Sequence, residues 1–103
     1  MSKLAKLIND KDNVVTALSD IAAGEEVELR SKGKAMICKC NQDIPFGHKI
    51  AIEDIKKGDK IVKYGESIGS ATQDIKKGDW VHTHNVKDDY IVLDKDGKPL
   101  TWP

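Results

Sequence analysis

All three histidines of this 103-residue chain fall in one central stretch, His48 in Gly47-His48-Lys49 and the other two in His82-Thr83-His84-Asn85. Imidazole ligates metals and exchanges protons near neutral pH. On a strand over residues 80–84, His82 and His84 would point to one face together with Trp80. Two imidazoles so placed suit one metal ion, with the third ligand supplied from elsewhere. His48 is the obvious third, because Ile44-Pro45-Phe46-Gly47 is a rigid turn that would aim its ring reproducibly. His48, His82 and His84 are therefore the candidate metal ligands and acid/base groups. The plain alternative is two surface histidines alternating on an edge strand.

A second polar cluster is Lys63-Tyr64-Gly65-Glu66. Lys63 could neutralise an anionic substrate, Tyr64 could donate a proton and Glu66 could accept one. Alternation sets Lys63 and Tyr64 on opposite faces, so one pocket uses both only if the strand bends at Gly65. The plainer reading is a solvated lysine, a half-buried tyrosine and a turn glutamate. Asn85 either orients a ligand or caps the following turn. Cys38 and Cys40 are too close in sequence for an unstrained disulfide, and a reduced, packed pair is expected. No nucleophile elbow, phosphate-cradling loop or dinucleotide fingerprint is present.

The elements that must position these residues share one pattern. Ala-x-x-Asp-Ile-x-x-Gly occurs at residues 17–24, 51–58 and 71–78. The intervals between copies are unequal, which excludes a solenoid and leaves one corner used three times. In each, Asp is expected to bond backbone N–H groups just ahead of it, Ile to be a buried pin, and Gly to take a positive φ. Strands are expected at 14–17, 26–29, 35–40, 49–52, 60–64 and 80–84, with Ser31-Lys32-Gly33 turning a hairpin. Leu4, Leu7 and Ile8 have helical spacing in too short a segment, so a strand is expected there as well. Many short strands joined by glycine-bearing corners make an all-β domain, placed at residues 1–87. Residues 88–103 form an extension with a strand-like Tyr90-Ile91-Val92-Leu93, a turn and Trp102, suited to covering a sheet edge or docking a partner.

Composition narrows the function classes. Seventeen basic residues balance seventeen acidic ones, which disfavours nucleic acid and anionic membranes as partners. The length is that of one domain burying roughly 60–65% of its unfolded surface. The N-terminal residues have no apolar run of signal-peptide length and no stretch approaches a membrane span, so a cytoplasmic location is expected. Trp102 and the polar hinge before the tail favour association, including a homo-oligomer.

Several motifs in one order carry a resemblance. Asp12-Asn13-Val14-Val15-Thr16-Ala17-Leu18, Gly47-His48-Lys49, Lys63-Tyr64-Gly65, Ile68-Gly69 and Val81-His82-Thr83-His84-Asn85 resemble the N-terminal part of the altronate dehydratase family over residues 3–87. The resemblance implies a SAF-type domain of β-clip fold, to which the Asp-Ile corners also conform. It further implies dehydration of a sugar acid, altronate, to a 2-keto-3-deoxy acid, assisted by iron or manganese. The chain ends soon after His-x-His-Asn and so looks like the form made as a separate small subunit, active with a large catalytic subunit. The small subunit of (2R)-sulfolactate sulfo-lyase carries similar Gly-His-Lys and His-Thr-His-Asn stretches, which makes sulfite elimination the nearest competitor. Related galactarate dehydratases are expected to lack the His-x-His-Asn motif, which argues against that assignment. In the dehydratase reading His48, His82 and His84 ligate the metal or act as acid and base. Lys63, with Tyr64 and Asn85, binds substrate. A non-catalytic module that binds carbohydrate or a partner is the reading from a different class.

Overall fold

Nine short strands form among the described residues, 3–31 and 33–87 of the computed structural model. They are β1 (Lys3–Lys6), β2 (Val14–Ala17), β3 (Glu26–Ser31), β4 (Lys34–Lys39), β5 (Lys49–Ala51), β6 (Lys60–Lys63), β7 (Glu66–Ala71), β8 (Trp80–Val81) and β9 (Val86–Lys87). The fold is all-β, as expected. The extension expected at 88–103 lies outside the described residues. No helix among the described residues is long and apolar enough to cross a membrane.

The strands make two sheets, ordered β4-β3-β1-β2-β5-β8 and β6-β7-β9. All pairings are antiparallel except β1 with β3. Alternation along the strands of the larger sheet separates two cores. Val15, Ala17, Ile21, Val27, Leu29, Cys38, Ile44 and Ile50 gather in one, and Trp80 packs against it. Val14, Ala51 and Val81 turn the other way and meet Ile55, Ile61, Ala71 and Ile75 in the second. The Leu4-Leu7 segment begins as strand β1, as its shortness suggests.

The corners are paired, and this explains their repetition. Ile55 and Ile75 exchange both backbone hydrogen bonds, at 2.8 and 2.7 Å. The Asp before each Ile reaches into the partner corner: Lys77 N–H donates to Asp54 Oδ1 and Lys57 N–H to Asp74 Oδ1, each at 2.9 Å. Gly58 N–H bonds the Ala71 carbonyl and Gly78 N–H the Ala51 carbonyl, both at 2.8 Å. The expectation that Asp bonds backbone N–H groups just ahead of it is corrected, because its carboxylate holds two corners together. The first corner has a partner as well. Ile21 pairs with Ile44, Phe46 N–H donates to Asp20 Oδ1 at 2.8 Å and Ala23 N–H to Asp43 Oδ1 at 2.9 Å. Residues 40–47 are thus a fourth copy, disguised because Cys40 stands where the others have alanine.

Cys38 and Cys40 are free and buried. Burial, with Cys38 and Glu25 adding, pushes the Cys40 thiol from 9.0 up to about 11. Neutral buried thiols are poor nucleophiles, so both belong to the core. Above 9.0 the unfolded chain releases this proton while the folded chain retains it. The contribution is therefore full below 9.0 and is lost as pH rises toward about 11. Denaturant midpoints compared at about pH 8 and about pH 10 should show this fall, and Cys40→Ala should flatten it.

Candidate functional site

Strand β8 stops after Val81 because Asn85 folds the chain back on itself. Its Oδ1 accepts from His82 N–H at 2.9 Å and its Nδ2 donates to the Trp80 carbonyl at 2.8 Å. The Asn85 N–H adds a bond to the His82 carbonyl at 3.1 Å. Asn85 is 2% exposed with both ends of its amide engaged. It therefore shapes the turn, the second of the two roles its position suggested. The expected strand over 80–84 is corrected too: His82 and His84 lie in a turn, not on alternate positions of a strand.

His48 arrives from the fourth corner. Its N–H donates to the Pro45 carbonyl at 3.0 Å, closing the turn that contains Gly47. Glu25, Asp59 and Asp79 close the other three corners, so histidine takes a place otherwise given to an acid. The rings then meet around Trp80. His48 and His82 lie 4.6 Å apart between centroids, and His82 stacks on the indole at 5.5 Å with planes 6° apart. The indole Nε1–H donates to His48 Nδ1 at 3.2 Å. His84, exposed, meets only Trp80 among the described rings, at 4.9 Å. Three imidazoles from distant positions thus share one patch, with His48 and His82 as its close pair.

Lys49 borders the patch, and Lys63 stands near Lys49. Burial first, then His48, Lys49 and His84, lowers the His82 pKa and favours its neutral form. Burial also lowers the Lys49 pKa, with the charge of Lys63 adding to the effect. Lys63 ends β6, and Tyr64 and Gly65 form a two-residue turn with φ of 59° and 74° that returns the chain as β7. Buried Asp12 fixes that turn by accepting from Tyr64 N–H and Gly65 N–H at 3.1 and 2.8 Å. The chain bends at Gly65, the condition for one pocket to use both residues, and Lys63 Nζ lies 5.1 Å from the Tyr64 ring centroid. Tyr64 is 63% exposed.

Residues 4–89 match the family described as the altronate/galactarate dehydratase SAF domain. The chain belongs to that family. It is 49% identical over 80 residues to the altronate dehydratase of Bacillus subtilis, covering 78% of this chain and 15% of that protein. Against the altronate dehydratase of Escherichia coli it is 41% identical over 88 residues, covering 85% of this chain and 17% of the relative. The (2R)-sulfolactate sulfo-lyase subunit alpha of Chromohalobacter salexigens is 31% identical over 85 residues, covering 79% of this chain and 90% of that subunit. The chain thus spans about a sixth of the altronate dehydratases it matches and nearly all of the sulfo-lyase subunit.

The histidines of this SAF domain do not make the expected three-ligand metal centre. Among the described residues no group of three or more His, Cys, Asp or Glu side chains is gathered to hold a metal ion. His48 Nδ1 is already occupied by the Trp80 indole Nε1–H, and a ligating imidazole normally points its second nitrogen, as a donor, at an oxygen. Among the described residues, these histidines as placed do not by themselves make a closed ligand set for iron or manganese. Sequence reasoning gave no role to Lys49, although Gly-His-Lys was prominent. It also named Trp80 only as a neighbour of the histidines. The signal for Lys49 was its place on β5 opposite Val81, one residue before the His pair begins.

Proposed function

We propose that this chain is the SAF portion of a hydro-lyase that dehydrates a sugar acid, altronate, to a 2-keto-3-deoxy acid together with a larger catalytic portion. The observation that carries the reading is the His48–Trp80–His82 patch with Lys49 beside it and Lys63 near Lys49, in a domain that matches only a small share of two altronate dehydratases. Loss of water from a sugar acid removes a proton α to a carboxylate and expels a β-hydroxyl, so negative charge grows on the carboxylate oxygens. Lys49 and Lys63 suit binding of that carboxylate, and the imidazoles suit hydrogen bonds to the developing enediolate. The base that takes the α-proton, and any divalent ion the reaction uses, are assigned to the catalytic portion. Tyr64, at the rim, is assigned an outer contact to substrate or to that portion.

The sulfo-lyase reading has its own support, because the match covers 90% of a separate alpha subunit. Sulfite elimination from sulfolactate also proceeds through charge on a carboxylate, so the same patch would serve. Co-expression with the neighbouring large subunit, assayed on altronate and sulfolactate side by side, decides between them. Turnover of altronate alone is expected, and turnover of sulfolactate alone would replace this reading with the second. Lys49→Met is expected to raise KM about tenfold with a much smaller change in kcat, the signature of lost ground-state binding. An unchanged KM would remove Lys49 from the carboxylate site.

A further inference from the structure

The hydrogen bond between Trp80 and His48 decides more than ring orientation. Indole Nε1–H can only donate, and neutral imidazole carries one N–H and one lone pair. Since His48 Nδ1 accepts from Trp80 at 3.2 Å, the ring's proton resides on Nε2. We propose that Trp80 is a positioning residue that holds His48 in the Nε2–H tautomer, so that His48 meets the bound acid as a hydrogen-bond donor and not as a metal ligand or base. The identity of that acid rests on the proposed function, whereas the tautomer does not.

The donor is firmly placed. Trp80 N–H bonds Gln42 Oε1 at 2.7 Å, its carbonyl accepts from Asn85 Nδ2, and its side chain packs against the larger core. His82 stacks on the indole and His84 tilts against it, which leaves the ring little freedom to turn. Ligation or proton uptake at Nε2 of His48 would require the ring's proton on Nδ1, directly against the indole N–H. In the tautomer this bond selects, Nε2–H can instead stabilise a developing enediolate oxygen without giving up its proton. A neutral imidazole acting as an electrophile is an established catalytic device. His48 and His82 then divide the work, since His82 is held neutral with no N–H donor bonded to its ring among the described residues.

The test is the side-chain nitrogen NMR spectrum of His48 in the full chain at about pH 8, above the ordinary imidazole range. The wild type is expected to show the Nε2–H tautomer. Trp80→Phe, which keeps an aromatic ring but removes the N–H, is expected to shift the tautomer ratio several-fold toward Nδ1–H. An Nδ1–H wild type, or an unchanged ratio in a folded Trp80→Phe chain, overturns the proposal. Should Trp80→Phe fail to fold, His48→Gln serves, because its amide still offers a donor. In the assembled enzyme it is expected to retain about tenfold more turnover than His48→Ala, and equal losses overturn the donor role. A Trp80-dependent Nε2–H tautomer in an assembly that dehydrates no sugar acid supports the positioning role and overturns the proposed function alone.

Discussion

His82→Ala is expected to lower kcat of the proposed assembled enzyme by roughly 10²–10⁴, the range for loss of a positioned acid/base or hydrogen-bonding group. His82 is one half of the closest imidazole pair and is half-buried beside Lys49, so no water-exposed neighbour replaces it in place. His84→Ala is expected to cost less than about tenfold, since the exposed His84 ring touches only Trp80 among the described rings. Circular dichroism should show both variants folded, because neither imidazole belongs to the cores. The metal content of the assembled enzyme should be unchanged in both variants, as the ligands are assigned elsewhere. Equal losses for the two variants, or metal loss in either, would contradict this division.

The largest expected effect on stability comes from Gly78→Ala. At φ +93° an L residue is strained, and a Cβ there would run into the Lys39 carbonyl oxygen, with Asn41 Nδ2 at 3.2 Å. The backbone cannot retreat. Gly78 N–H bonds the Ala51 carbonyl at 2.8 Å and its carbonyl accepts from Asn41 N–H at 2.9 Å. A loss of about 3–5 kcal/mol is expected, a large share of the roughly 5–15 kcal/mol available to a domain. Gly58→Ala is the control. It has φ +90° but nothing within 4 Å of its Cβ position, so only the left-handed conformation costs, at about 1–2 kcal/mol. Urea midpoints for the two variants measure the difference. Equal shifts would mean that the Lys39 contact is relieved elsewhere.

Much of this was legible from residue types. Val14 to Ala17 and the hairpin across Gly33 announced themselves through β-branched residues and alternation, and β2, β3 and β4 follow them. The convergence of His48 with His82 was legible only through motif order, since nothing local ties positions that far apart. The end of β8 was missed because Trp80 to His84 alternates as a strand would. What breaks it is the side chain of Asn85, whose two bonds to Trp80 and His82 compete with continued pairing. β7 was missed because Ser67, Gly69 and Ser70 are weak strand formers. They are small because β9 packs close: a Cβ on Gly69 would run into the Lys87 carbonyl. The pairing of corners was hidden in a similar way, since a carboxylate that bonds a distant N–H leaves the same sequence trace as one that bonds its own turn.

The central claim is that the His48–Trp80–His82 patch faces the substrate. The direct measurement is a structure of this chain assembled with the proposed catalytic portion and a bound sugar acid. The account predicts oxygen atoms of the acid at hydrogen-bond distance, about 3 Å, from His48 Nε2 and from a ring nitrogen of His82, with the carboxylate toward Lys49. An acid bound elsewhere, with these rings buried against the partner or open to solvent, would contradict it.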